Sequence, residues 1–501
     1  MDKIKVTYSD IPVIPMPKSV KGDEPFVFDV PVSTEIYTEE KEWQNHIDAF
    51  IDTIYRGRNL KFTRGKNGAV IKFNDKLNKG EYSLKTFPQV EIQSSSSEGV
   101  CYALATFIQL IKVIDGKSFI CKCEIFDYPE TDYRGVMACA SQSKRKLAFN
   151  NLLVFADLCY LYKMNYLHIH FTDNDGYTLP SERFPKISAG NCYSKEQIKF
   201  LNEYCKQRNI TIVPEIDLPG HATAMIKNCS EIFANVYTEK SPLWEDGTPC
   251  AEDSICVGKK GTFEAAETLI EELAKLFPDS PYLHIGGDEV NHRVWDACDD
   301  CQAFIKENNL TDSEELYAYS VKRFAEKVIS LGRTPIVWEG FAEKYADIIP
   351  KECIVGVFES LYCTADKLIE KGYRVLNCSW EPLYSVSWGS RLWWPDMKPW
   401  GYKEILAWDK FTFKNKYMKT SPVHLNPMHL PKTDKIIGAQ MCDWANYFAQ
   451  KIPYIREFVP AVSERLWTNE RFCTDEQFFK KFCNSTAVFD ELTENNDIYK
   501  E

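Results

Sequence analysis

Two carboxylates stand side by side at the end of a short apolar run, in the order His284, Ile285, Gly286, Gly287, Asp288, Glu289. Neighbouring side chains on a regular strand point to opposite faces, so the two glycines matter: they let the chain bend until both acids reach one mouth. Two carboxylates held close cannot both ionise freely. One is pushed up, and a carboxyl that keeps its proton near neutral pH can serve as a general acid. Further acids hold equivalent places: Asp173 ends YLHIHFTD at 166 and Asp175 follows it, Glu215 and Asp217 end ITIVPEID at 210, and Glu339 follows Trp338 in TPIVWEG at 334. One such acid is an ordinary solvated turn residue, whereas a set converging on one rim is what a polar active site needs. Trp380, Tyr384, Trp388, Trp393, Trp394 and Trp400 crowd one later stretch. Aromatic faces beside carboxylates suit sugar rings, whose C–H groups stack while their hydroxyls take charged hydrogen bonds.

These acids need a frame that brings distant strand ends together. From Tyr133 onward, short buried runs alternate with longer amphipathic stretches, beginning at residues 133, 166, 210, 282, 334, 353, 373 and 435. Eight strand-helix units predict a (β/α)8 barrel, whose chemistry sits at the C-terminal ends of its strands. The clearest helix spans 262 to 277, where Phe263, Ala266, Leu269, Ile270, Leu273 and Leu276 recur at three- and four-residue spacing before Pro278. Residues 1–127 mix alternating runs with helical stretches at about 41–55 and 98–113, which predicts an N-terminal α+β accessory domain. The expected division is 1–127 for that domain, 128–470 for the barrel, and 471–501 for a C-terminal helical tail packed on the barrel.

Composition narrows the partners. The chain has 501 residues, 44% hydrophobic, 26% charged and 14% aromatic, which excludes a disordered or fibrous protein. Its 60 Lys and Arg against 72 Asp and Glu leave a net charge of −12 and no dense basic stripe, so nucleic acid is not an expected partner. No apolar run approaches the ~18 residues of a membrane span. The N-terminal run lacks the apolar core of a secretion leader, which predicts a cytoplasmic setting, or a secreted one if a leader has been removed. The 18 cysteines agree with a reducing compartment, because many, such as Cys139, Cys159, Cys353, Cys378 and Cys442, lie inside apolar runs. Cys298 and Cys301 form a lone CxxC, read as two ordinary thiols because a structural zinc site needs two more ligands. Cys121 and Cys123 are a weaker signal still.

The acid-pair motif resembles that of glycoside hydrolase family 20, the β-N-acetylhexosaminidases, whose strand end reads His-x-Gly-Gly-Asp-Glu. The resemblance extends through Arg134 and Gly135, YKMNYLHIHFTDNDGY at 162–177, PEIDLPGH at 214–221, SERLW at 463–467 and the N-terminal IPMPKSV. It implies a retaining exo-acting enzyme that removes terminal β-linked N-acetylhexosamine by substrate-assisted catalysis, with a glycan as partner and no metal or cofactor. By the same matching, Glu289 is the acid/base and Asp288 orients the acetamido N–H. Arg134 and Asp173 hold or support sugar hydroxyls, with His221 beside Asp173. Trp338 and Trp444 wall the acetamido pocket, and Tyr384 bonds the acetamido oxygen.

Several positions depart from the family pattern. Cys139, Ala140, Ser141 and Gln142 stand where an Asp-Val-Ser-Arg-like run is usual, Phe358 where a pocket tryptophan is often found, and Asn446 where a glutamate binds the outer hydroxyls. Two rival readings remain. His168 and His170 put two imidazoles on one strand face, as a metal-dependent barrel amidohydrolase needs, although the first run supplies no histidine ligand. The other rival is a sugar-binding protein that has kept the fold without much catalysis.

Overall fold

The computed structural model describes residues 5–7, 10–142, 145–236, 253–386, 400–444, 448–471 and 473–494. All eight buried runs form parallel strands: β1 (Tyr133–Cys139), β2 (Tyr166–His170), β3 (Thr211–Glu215), β4 (Tyr282–His284), β5 (Thr334–Trp338), β6 (Ile354–Val357), β7 (Arg374–Asn377) and β8 (Ile436–Asp443). The sheet closes because β1 pairs with both β2 and β8, Gly135 facing Tyr166 on one side and Gln440 on the other. Strands covered on both faces must be apolar throughout, which is why these runs read as continuous hydrophobic stretches. A two-residue strand, Tyr384–Ser385, adds to β8 at the mouth.

The N-terminal domain carries a seven-stranded mixed sheet running from Ser19–Lys21 at one edge to Thr63–Arg64 at the other, with four further short strands forming a second sheet. Its helices are α1 (Gln44–Arg58) and α2 (Ser97–Leu110). Every residue of α2 from Gly99 onward is buried, because it lies between its own sheet and the first barrel helix, α3 (Phe149–Leu161). Around the barrel follow α4 (Lys195–Gln207), α5 (Thr262–Leu276), α6 (Asp299–Glu307), α7 (Ser313–Ser330) and α8 (Phe448–Trp467). Capping agrees with their sequence: Ser194 and Gln197 close a reciprocal capping box on α4, and the Asp312 carboxylate accepts the Glu315 amide of α7. Helix α5 buries Phe263, Ala266, Leu269, Ile270 and Leu273, the stripe expected from spacing.

At the barrel's lower end, Asp127 joins the two domains. Its carboxylate accepts from Lys163 Nζ at 3.0 Å, Tyr82 Oη at 2.8 Å and Trp467 Nε1 at 2.7 Å, with Lys163 and Asp127 fully buried. The final helix, α9 (Asp475–Glu494), bridges the domains: Arg456 of α8 pairs with Asp490 at 2.6 Å, while Val488 and Leu492 pack on Gly57 of α1. The side-chain-free face at Gly57 thus gives the tail a seat on the accessory domain as well as on the barrel. Among the described residues no helix is long and apolar enough to cross a membrane.

Candidate active site

The β4 end makes the turn that its glycines promised. Gly286 and Gly287 take φ of +67° and +100°, and the Gly287 amide donates to Asp217 Oδ1 at 3.0 Å. A Cβ on Gly286 would lie 1.8 Å from that oxygen, so no other residue fits there. Tyr317 Oη fixes the turn from outside by donating to the Gly287 carbonyl. Beyond the turn, Asp288 is buried while the Glu289 side chain is 49% exposed, the one carboxyl wedged in the barrel and the other at its mouth. Glu289 and His221 both have left-handed backbone, φ +50° and +46°. Such conformations cost about 1–3 kcal/mol each in non-glycine residues and cluster where function demands them.

His221 is the hub of the rim. Its Nδ1 lies 3.4 Å from Asp173 Oδ1, and its Nε2 lies 3.7 Å from Asp288 Oδ2 and 3.5 Å from Glu289 Oε2. Burial opposes its charge, but Asp288, Asp173, Glu289 and Asp217 outweigh that and hold the imidazolium well above the ordinary histidine range. Burial pushes Asp288 up to about 6, His221 opposing and the Glu289 and Glu215 charges adding. The upward shift expected within the acid pair thus falls on Asp288. Asp217 is driven up further by its own burial and the Asp288 charge. Asp173 goes the other way, held below the carboxylate range by His170 and His221 despite burial.

Beneath the rim lies a buried cluster that the motif gave only in part. Glu215 Oε2 meets His168 Nε2 at 2.9 Å and His170 Nδ1; its Oε1 meets His284 Nδ1 at 3.0 Å and accepts from Trp338 Nε1 at 2.8 Å. His170 and the other two rings keep Glu215 ionised against the penalty of burial. His168 stays neutral, burial lowering it to about 4, with its Nδ1 facing the Gln440 amide at 2.9 Å. Both its nitrogens are hydrogen-bonded here, and the donor atoms of His168, Glu215 and His284 lie within 4.8 Å of one another. Donor atoms of Asp217, His221 and Asp288 also lie within 4.8 Å of one another.

An aromatic wall rises from this floor. The Trp338 ring packs against His168, His284 and Phe358, Phe358 stacks on Tyr384 with centroids 6.3 Å apart, and Tyr384 continues to Trp444, which meets His170 edge-on at 4.9 Å. Phe358 therefore fills the place of the usual tryptophan within one continuous wall. Trp338, 1% exposed, forms the deep end of this wall and is tied to Glu215 by its indole N–H. Two more buried acids border the mouth, Glu339 and Glu359, each raised by burial to about 8. Glu359, raised also by Glu289 and Asp288, was not singled out in sequence, because nothing marked the β6 end as part of the rim.

Arg134 is a correction. It begins β1, at the opposite end of the barrel from the acids, where its guanidinium donates to the Lys163 and Thr131 carbonyls and to Tyr102 Oη, 1% exposed. A residue at the N-terminal end of a strand cannot reach the mouth; Arg134 seals the domain junction instead. At the other end of that strand, Cys139 is buried and Ser141 Oγ donates to the Gly176 carbonyl at 2.9 Å. Asp175 is exposed in the small hairpin beyond Asp173. Asn446, Trp388, Trp393 and Trp394 lie outside the described residues.

Fold and site together define a (β/α)8-barrel protein with a carboxylate-lined mouth and an N-terminal mixed-sheet domain. The model described as glycosyl hydrolase family 20, catalytic domain, matches residues 132–470, and that described as glycosyl hydrolase family 20, domain 2, matches 10–128. The chain belongs to glycosyl hydrolase family 20. It is 27% identical over 314 residues to the β-hexosaminidase of Vibrio furnissii, covering 58% of this chain and 50% of that protein. With the α subunit of Rattus norvegicus β-hexosaminidase it shares 25% over 415 residues, 78% of this chain and 71% of the relative. The match thus spans only half the length of the Vibrio furnissii relative. Among solved structures, the exo β-N-acetylglucosaminidase of Vibrio harveyi in complex with N-acetylglucosamine superposes with a TM-score of 0.82 at 21% identity, covering 97% of this chain and 78% of that one. The β-N-acetylhexosaminidase of Bacteroides fragilis gives 0.74 at 20%, covering 96% of each. At these identities the likeness is one of fold.

Proposed function

We propose that the protein is a retaining, exo-acting β-N-acetylhexosaminidase that releases terminal N-acetylglucosamine or N-acetylgalactosamine from glycans. The observation that carries this reading is the division of the acid pair, with Asp288 buried within electrostatic reach of Tyr384 and Glu289 half-exposed at the mouth. An acid at the mouth reaches the leaving oxygen, and a buried carboxylate faces the sugar.

The chemistry balances without a protein nucleophile. The carbonyl oxygen of the substrate's 2-acetamido group attacks the anomeric carbon as the glycosidic C–O bond breaks, and Glu289 gives its proton to the leaving oxygen. Asp288 accepts the acetamido N–H and offsets the positive charge of the oxazolinium ion. Water then adds at the anomeric carbon, Glu289 takes its proton, and the acetamido group is restored, with net retention. The aromatic wall from Phe358 through Tyr384 to Trp444 gives the acetamido methyl an apolar seat, and His221 with Asp173 holds the charge pattern of the rim. The buried thiols of the barrel fit a reducing, cytoplasmic setting.

The test is turnover of an aryl N-acetyl-β-glucosaminide and its galacto epimer beside the matching glucoside. Hydrolysis of the acetamido sugars alone is the expected result. Binding without turnover would favour the sugar-binding reading.

A further inference from the structure

Away from the catalytic rim, the structure gives the lone CxxC a third partner. Cys256, far from it in sequence, brings its sulfur to 3.5 Å from that of Cys298 and 3.7 Å from that of Cys301, and all three are fully buried. These separations are too long for an S–S bond of about 2 Å. They match the edge of a tetrahedron of thiolates around zinc, which is about 3.8 Å for Zn–S bonds of about 2.3 Å.

The backbone around the sulfurs is arranged for thiolates. The Cys256 sulfur faces the amide of Lys259, three residues on, and the Cys298 sulfur faces the amides of Cys301, also three residues on, and of Val236. The two turns have the same form and are pressed together. A Cβ on Gly258 would lie 2.4 Å from Cys301 Cα and 2.4 Å from the Asp300 carbonyl oxygen, so only glycine lets them meet. Amide donors of this kind offset the charge of metal-bound sulfur.

The cluster also sits where a clamp would act. The segment ending at Cys256 is bonded to the loop that carries His221, through Ala222 N to Asp253 O and Ile255 N to Pro219 O, both 2.9 Å. Cys298 closes the loop that carries Asp288 and Glu289, and Trp295 Nε1 from that loop donates to the Ile255 carbonyl at 3.0 Å.

We propose that Cys256, Cys298 and Cys301 bind a zinc ion as thiolates, the fourth position of its tetrahedron being filled by water or by Asn235 Oδ1, 4.0 Å from the Cys301 sulfur, in a structural site that ties the loop after β3 to the loop after β4. Binding releases the thiol protons to solvent and needs no oxidant or other co-reactant. The site is independent of the proposed hydrolysis, and its readout is the metal itself.

The experiment is elemental analysis of the full chain purified under reducing conditions without chelator, followed by exchange of the metal for cobalt. Expected are one zinc per chain, an intense sulfur-to-cobalt charge-transfer band in the exchanged protein, and loss of both in Cys256→Ser and Cys301→Ser, with Cys483→Ser, at an exposed thiol, unaffected. Wild-type protein that remains metal-free after titration with zinc and with cobalt would overturn the proposal, whatever the variants do. So would a disulfide between two of the three cysteines in the reduced preparation, or a charge-transfer band that persists in a folded Cys256→Ser protein.

Discussion

At the scale of single residues, the acid pair divides its work by burial. Glu289→Gln keeps the shape of the side chain but cannot donate a proton, so turnover of a natural glycan should fall by roughly 10²- to 10⁴-fold. An aryl glycoside with a good leaving group should suffer less in its first step. Single-turnover rates on the two substrates check this, and near-normal hydrolysis of the glycan would remove Glu289 from its role. Asp288 carries a cost that shows in stability. Folded, it keeps its proton up to about 6, whereas an unfolded aspartate releases it near 4. The folded state therefore holds the extra proton across that window, and stability falls as pH rises through it. Asp288→Asn should abolish most activity yet raise the melting temperature at pH 7, by an amount worth roughly 1–3 kcal/mol that vanishes towards pH 4. Melting curves of both proteins at a series of pH values decide it; a gain independent of pH would contradict the burial argument.

At the scale of elements, the β4 turn is where local sequence and tertiary contact meet. Gly286→Ala would meet Asp217 Oδ1 at 1.8 Å in a left-handed backbone, forcing Asp217 off the Gly287 amide and displacing the acid pair. A misplacement of this order costs about 10²-fold or more in rate. The expected result is a folded protein by circular dichroism with kcat reduced to that degree; activity close to wild type would show that the turn does not fix the pair. The clamp proposed at Cys256, Cys298 and Cys301 joins the same two loops.

At the scale of the molecule, Asp127 and Lys163 form a fully buried ion pair between the two domains. Asp127→Ala would leave Lys163 charged and unpaired in a site that already lowers its proton affinity through burial. Breaking one half of such a pair typically costs about 3–5 kcal/mol. Asp127→Ala combined with Lys163→Met should recover much of that loss, since the double change removes the orphaned charge. Urea unfolding of the single and double variants measures it, and equal losses in both would mean the pair contributes through shape alone.

The sequence by itself determined what repeats and what is local. Eight buried runs gave eight parallel strands because a strand covered on both faces must be apolar throughout, and the α5 stripe and the glycine pair before Asp288 were legible because helix period and backbone freedom are properties of neighbouring residues. Arg134 stands one residue into the run that starts at 133, so its distance from the C-terminal mouth was itself legible, and the register of β1 against β8 shows it at the far end of the barrel. Other placements were not local. Asp288 is pushed up to about 6 because burial is set by what other strands bring over a residue. Glu359 joined the rim, and Cys256 joined Cys298 and Cys301, through barrel closure, which sets loops distant in sequence side by side at one end. Residue type and spacing decided which chemistry the chain could host; the closed sheet decided which residues were near enough to perform it.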